Sequence, residues 1–247
     1  MKVEPNIVIS EFITKMEDVL YHKDNSNVDI LSKVAQQADS LKHFQVPYYV
    51  LTNEPSQKRI DNLNITNVDL KKIYQNYPDM TLYFCRIFMA FYFLQAHPEI
   101  EKAALTDATD VTMLNYPFDK VKPNVLYMGD ETNFLFVNDL VIDRDDPEYM
   151  TNFFLENGNL LPTLNLGIIV GTRATLIEYL GTMVKLLTEA KLKFKQGNAA
   201  YHLGQYEMGI SNYVAYKYFS DRLVHGREVS TVFSGFQTHS SAWFKHK

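Results

Sequence analysis

The sequence predicts an α/β fold built on a parallel sheet, and three stretches carry that prediction. Residues 6–13, 28–43 and 46–56 read in order as strand, helix and strand, a βαβ opening. Residues 80–96, MTLYFCRIFMAFYFLQA, are apolar nearly all round, as expected of a helix packed between layers. Residues 103–118, AALTDATDVTMLNYPF, run as a short apolar strand into two carboxylates, Asp107 and Asp110, and then into a turn. In βαβ units the crossover is right-handed and ligands gather at the carboxyl ends of the strands, so the third stretch is where a site belongs.

The first strand, NIVISEFI, is β-rich, and the helix after it follows from the spacing of Val28, Ile30, Leu31, Val34, Ala35, Ala38 and Leu41. VPYYVLTNEPS at 46–56 is a buried strand ending in polar turn residues, and VDLKKIY at 68–74 fits a third short strand. Arg86 interrupts the apolar helix. Because Arg does not deprotonate, it must be paired in a buried salt bridge, snorkel to water, or face a polar cleft and a phosphate. Val125–Met128 and Phe134–Val137 read as short strands, and DRDDPEYM at 143–150 as a solvated acidic loop broken by Pro147. Residues 161–170 make another strand, stopped by Gly171, before a long amphipathic helix at 173–194. Residues 198–219 read as a loop feeding a helix, and the tail from Val229 to Lys247 is polar, aromatic and His-bearing. No internal repeat or Ser/Pro-rich linker divides the 247 residues, which fits one compact domain.

Composition narrows the functions. A net charge of −5 leaves no basic footprint for a nucleic-acid backbone. The lone Cys85 cannot form an internal disulfide and sits in an apolar stretch, as a buried thiol in a reducing compartment would. No window approaches the roughly 20 apolar residues of a membrane span, and the N-terminus lacks a secretory signal, so the chain is expected to be soluble and cytoplasmic. A Golgi-type enzyme trimmed of its anchor would read the same way, and one sequon at Asn64 does not decide the matter.

The Asp pair suggests a chemistry. Hard oxygen ligands at a strand end can hold magnesium or manganese against a diphosphate, whose charge must be neutralised before it leaves a sugar. The alternative is that one Asp caps a turn and the other faces water.

Five segments in order extend this reading: Thr106-Asp107-Ala108-Thr109-Asp110-Val111 with Pro117-Phe118 after it, the helix bearing Arg86 before it, Asn165-Leu166-Gly167, Glu207-Met208-Gly209 with Asn212 and Tyr213, and the terminal Trp243-Phe244-Lys245-His246-Lys247. Together, over nearly the whole chain, they resemble the GT-A type nucleotide-diphospho-sugar glycosyltransferases. That resemblance implies a Rossmann-like, mostly parallel central sheet flanked by helices, with a small mixed sheet toward the C-terminal half. It implies a single domain, with residues 1–118 as the nucleotide-binding half and 119–247 as the acceptor half ending in a metal and diphosphate tail.

The resemblance also assigns residues. Asp110 would coordinate Mn2+ or Mg2+, and Asp107 would reach the ribose or the metal's water shell. The usual motif has one residue between its acids and this one has two, so the chain must turn between them. His246 would be a further metal ligand, with His239 as the fallback, and Lys247 would face the diphosphate; a frayed tail is the other account of these residues. Ser10, Phe12, Thr52 and Asn53 would form a base pocket, although Ser10 and Thr52 also suit strand-end caps. Arg86, Asn165 and Gly167 would meet the donor's phosphates and sugar. Glu207 would act on the acceptor side beside Asp110 as a catalytic residue, with Asp221 a second candidate. The implied partners are a nucleotide-sugar donor, UDP-linked by first expectation, and a glycan acceptor. A non-catalytic nucleotide-sugar or glycan-binding domain would share the scaffold. A nucleotidyltransferase would need a Gly-rich basic loop after the first strand, and none follows NIVIS.

Overall fold

The computed structural model describes residues 2–55, 57–77, 79–134, 146–157, 160–231 and 239–246. At its centre is an eight-stranded sheet. Its order begins with β11 (Leu223–His225), β9 (Leu126–Phe134), β10 (Pro162–Thr172) and β7 (Lys102–Thr106), and continues with β1 (Asn6–Phe12), β4 (Tyr48–Thr52), β6 (Leu63–Asn67) and β5 (Lys58–Ile60). The run β7-β1-β4-β6 is parallel, β11 is parallel to β9, and β10 runs antiparallel to both its neighbours. The mostly parallel sheet expected from the βαβ opening is therefore present.

Both faces of this sheet are covered, which is why its central strands are apolar without a polar side. Ile7, Ile9, Tyr49, Leu51, Ala103 and Leu105 face one core with α3 (Leu82–Ala96), α5 (Arg173–Lys195) and α6 (Met208–Tyr218). Their alternates Val8, Tyr48, Val50 and Ala104 face a second core with α1 (Ile30–His43). The second core also takes in a small three-stranded sheet of β12 (Ser230–Thr231), β13 (Phe244–His246) and β8 (Val111–Met113). Successive strand residues point to opposite faces, so each strand serves both cores.

Local chemistry sets the helix ends. Asp29 accepts from Leu31 N–H at the start of α1, and Thr172 accepts from Thr175 N–H at the start of α5. Arg173 Nε donates to Leu94 O at 2.7 Å, tying the last turn of α3 to the end of β10. Among the described residues no helix is long and apolar enough to cross a membrane.

Several sequence expectations need correction. Residues 68–74 are not a strand: Asp69 accepts from Lys71 N–H at 2.9 Å and starts α2 (Lys71–Asn76), and the strand lies earlier, at β6. Gly171 does not stop β10, which continues opposite Ala103 and Lys102 to Thr172. Leu126 to Phe134 is one strand rather than two, because the turn-like Gly129 and Asp130 pair with Asn165 and Leu164 of β10; residues 135–137 lie outside the described residues. Pro147 precedes a helix, α4 (Glu148–Asn157), and its carbonyl accepts from Met150 and Thr151 N–H. Residues 143–145 of that expected loop lie outside the described residues. Asn64 is buried in β6 and donates to Asn62 O, so its side chain is not presented to solvent.

Candidate functional site

The acidic pair is assembled by the small sheet. β7 ends at Thr106, the backbone bends through Ala108–Asp110, and β8 begins at Val111. β13 pairs antiparallel with β8, and His246 falls opposite Val111, one residue after Asp110. The turn demanded by the two intervening residues is thus what aims both carboxylates at one imidazole. His246 Nε2 lies 3.3 Å from Asp107 Oδ2 and 3.5 Å from Asp110 Oδ2. Residues 243–246 are not frayed: Trp243 is fully buried, its ring stands 5.0 Å from that of Tyr127, and its carbonyl accepts from Leu114 and Asn115 N–H.

β10 closes the back of the group. Its pairing with β9 is irregular between Asn165 and Ile169, a bulge that Asn165 holds by accepting from Gly167 N–H at 2.5 Å while its amide donates to Glu131. Gly167 O accepts from Asp107 N–H at 3.0 Å. A Cβ on Gly167 would stand 2.5 Å from His246 Cε1 and 2.7 Å from Asp107 Oδ2, so only glycine permits this approach.

Arg86, from α3, lies half-buried below. Its NH2 donates to Asp107 Oδ1 at 2.6 Å, while Nε is 3.5 Å from Glu11 Oε2 and NH1 is 3.6 Å from Glu207 Oε1. Each guanidinium nitrogen faces a different carboxylate. Burial works against every charge here, and the outcome depends on the partners. Burial raises Asp107, yet Arg86 and His246 outweigh it and hold that carboxyl far below the usual range. Burial pushes Glu11 and Glu207 up to about 7 despite Arg86. His246 is opposed by burial, but the two aspartates carry it to about 9.

Glu11, Arg86, Asp107, Asp110 and Glu207 line a cleft of about 1150 Å³ at the carboxyl ends of β1 and β7. Asp107, Asp110 and His246 each offer a ligand atom, all within 4.8 Å of one another, and could hold a metal ion. They fit one: two carboxylate oxygens and the imidazole nitrogen they both approach, once its proton is displaced, suit a divalent cation.

No protein-family model matches the sequence, and no curated protein is significantly similar to it. Among solved structures, the crystal structure of mouse xyloside xylosyltransferase 1 in its apo form matches with a TM-score of 0.56. The match covers 98% of this chain and 97% of that one at 12% identity. The fold is glycosyltransferase-like.

On that fold, the residues anticipated from sequence divide into two groups. Phe12, Arg86, Asp107, Asp110, Asn165, Gly167 and Glu207 all line the cleft, and His246 abuts it. Ser10, Thr52 and Asn53 do not line it. Ser10 joins Thr106, Tyr48 and Gln37 in a buried hydroxyl and amide network; Thr52 accepts from Glu54 N–H; Asn53 clasps Thr14. His239 and Asp221 are exposed, and His239 is not part of the candidate metal group. Lys247 lies outside the described residues.

Sequence reasoning missed Glu11, Asp18, Tyr83 and Glu131. Asp18 sits in a hairpin of β2 (Glu17–Asp18) and β3 (Lys23–Asp24) at the rim, accepts from Leu20 and Tyr21 N–H, and takes the Tyr83 hydroxyl at 2.8 Å. Glu11 carried the same signal as Arg86, a charge inside an apolar element.

Proposed function

We propose that this protein is a metal-dependent glycosyltransferase that moves a hexosyl or pentosyl group from a nucleotide diphosphate, UDP by first preference, to a hydroxyl of a glycan or other acceptor. The observation that carries the reading is the convergence of Asp107, Asp110 and His246 beside a cleft at the sheet's carboxyl edge. The glycosyltransferase-like fold supports it. In this reading residues 1–118 serve mainly the nucleotide and 119–247 the acceptor, although His246 of the second half completes the group begun in the first.

Mn2+ or Mg2+ bound there would supply Lewis-acid neutralisation of the departing diphosphate. Arg86 has a carboxylate at every nitrogen, so its role is to fix Asp107 rather than to meet phosphate. Asn165 and Gly167 set the floor against which the donor sugar lies. Glu207, buried just ahead of α6 with its pKa near 7, is suited to take the proton of an attacking hydroxyl at neutral pH. Lys247, next to His246 in sequence, is assigned to the diphosphate.

Thermal melts with UDP, GDP and their sugars, with and without MnCl2, test binding, because a ligand of the folded state raises its apparent stability. UDP with manganese is expected to stabilise; stabilisation by GDP alone redirects the donor. Asp110→Ala should abolish transfer and leave the melt intact, and normal transfer by that variant removes the proposal. Binding without any metal-dependent hydrolysis of the sugar nucleotide favours the non-catalytic alternative.

A further inference from the structure

We infer that Glu11 recognises the donor sugar, its Oε1 accepting a hydrogen bond from a ring hydroxyl; the inference rests on the reading just proposed. Glu11 is the penultimate residue of β1 and lies one position beyond the last β1 residue paired with β7, Ser10 opposite Thr106. It shares the parity of Ile7 and Ile9, so its side chain leaves the sheet on the α3 side and meets Arg86 there. The residue is only 9% exposed, and it lines both the open cleft and a small cavity of about 30 Å³ beneath Arg86.

One oxygen, Oε2, faces Arg86; the other, Oε1, is buried with no hydrogen-bond partner. Leaving a buried acceptor unmatched costs about 1–3 kcal/mol, more for a charged group, so a donor is called for. Among the described residues the nearest side-chain donors are turned elsewhere. Arg86 turns its other nitrogens to Asp107 and Glu207, and the Tyr83 hydroxyl is donated to Asp18. Ile87, Ala90, Leu105 and Leu166 supply the apolar wall.

The donor must therefore enter from the cleft, and its chemistry is constrained. A carboxylate repels phosphate, which excludes the anionic part of a nucleotide; a neutral hydroxyl fits. Arg86 spans from Glu11 to Asp107, so a polyol reaching Glu11 lies one side chain away from the candidate metal ligands. The sugar joined to the diphosphate is the part of the donor that satisfies both conditions.

The test is isothermal titration at pH 8, where Glu11 is ionised, of UDP, UDP-glucose and UDP-xylose in MnCl2, or the matching GDP pairs if the melts select GDP, into wild type, Glu11→Met and Glu11→Gln. Met fills the same space without an acceptor, while Gln keeps an acceptor oxygen. Glu11→Met is expected to weaken at least one sugar nucleotide by about ten-fold or more, the scale of a hydrogen bond to a charged group, with the nucleoside diphosphate held within about two-fold. Glu11→Gln should recover part of that loss. Equal weakening of UDP and its sugars would mean Glu11 reads the base or ribose or merely supports the site, and no weakening would mean a water occupies the small cavity; either result overturns the inference while the proposed function stands. Wild type that binds neither UDP, GDP nor their sugars overturns the proposed function, and this inference falls with it.

Discussion

Replacing Arg86 with Met should destabilise the protein by an amount that depends on pH, because two of its three carboxylate partners can shed their charge. At pH 8 Glu11, Asp107 and Glu207 are all ionised around the guanidinium, at 3.5, 2.6 and 3.6 Å. Removing the cation then strands buried charge, a loss of about 3–5 kcal/mol. Glu11 and Glu207 are raised to about 7 from 4.5, so the folded state holds those protons more tightly than the unfolded state does. Their effect on stability is fully present below about 4.5 and is lost as pH rises through 7. At pH 5.5 both are mostly protonated in the folded protein and no longer need Arg86. Asp107, whose pKa is depressed, stays ionised at both pH values, so what remains is one charged hydrogen bond of about 1.5–3 kcal/mol. Urea unfolding of wild type and Arg86→Met in EDTA at pH 5.5 and pH 8 reads the difference. A loss of the same size at both pH values would refute the reasoning, since Glu11 and Glu207 would then not be proton-bearing partners of Arg86.

Gly167→Ala places a methyl 2.5 Å from His246 Cε1 and 2.7 Å from Asp107 Oδ2, so these side chains must part. Manganese affinity, measured by titration, should fall about 10–100-fold, as it does when groups behind metal ligands are disturbed, with circular dichroism unchanged; unaltered affinity would mean the group tolerates the extra atom. Trp243→Ala removes a fully buried ring that packs on Tyr127 and sits one residue before β13. A loss of about 3–5 kcal/mol in unfolding free energy is expected, together with loss of metal binding, and retention of metal binding at full strength would show that β13 does not depend on this anchor.

The parallel heart of the fold was legible because its strands are apolar runs between recognisable helices: NIVISEF, YYVLT and KAALT all emerge as strands of the central sheet. What escaped detection was polar or short. LNITN reads as turn chemistry by composition, yet Leu63, Asn64 and Ile65 are buried beside β4, and only that neighbour makes the segment a strand. GDETN failed the same way: Gly129 and Asp130 pair with Asn165 and Leu164 of β10, and Asp130 meets His225 at 2.8 Å. The acidic pair was legible from its place at the end of an apolar strand, whereas the Asn-x-Gly segment and His246 came only through the resemblance to the glycosyltransferases. Ser10, Thr52 and Asn53 carried plausible polar chemistry too, but the sequence could not tell that strand parity and local clasps would turn it inward.

That contrast has a physical basis in the charge of the cleft. Its wall holds Glu11, Asp18, Asp107, Asp110, Glu131 and Glu207 against Arg86 and Lys33, and Arg86 is already surrounded by carboxylates. So much like charge in a partly buried space opposes folding, and several features relieve it locally: the raised pKa values of Glu11 and Glu207, the imidazolium of His246, and the central guanidinium. The relief is incomplete at Glu11, whose Oε1 is buried without a hydrogen-bond partner among the described residues, in a side chain that lines the open cleft. A site built only for stability would close that valence with a protein donor. Here the free acceptor of Glu11 suits a hydroxyl, and a cation held by Asp107 and Asp110 would take the place of the proton on His246 Nε2. In the proposed function, a sugar nucleotide and its divalent metal would supply both at once.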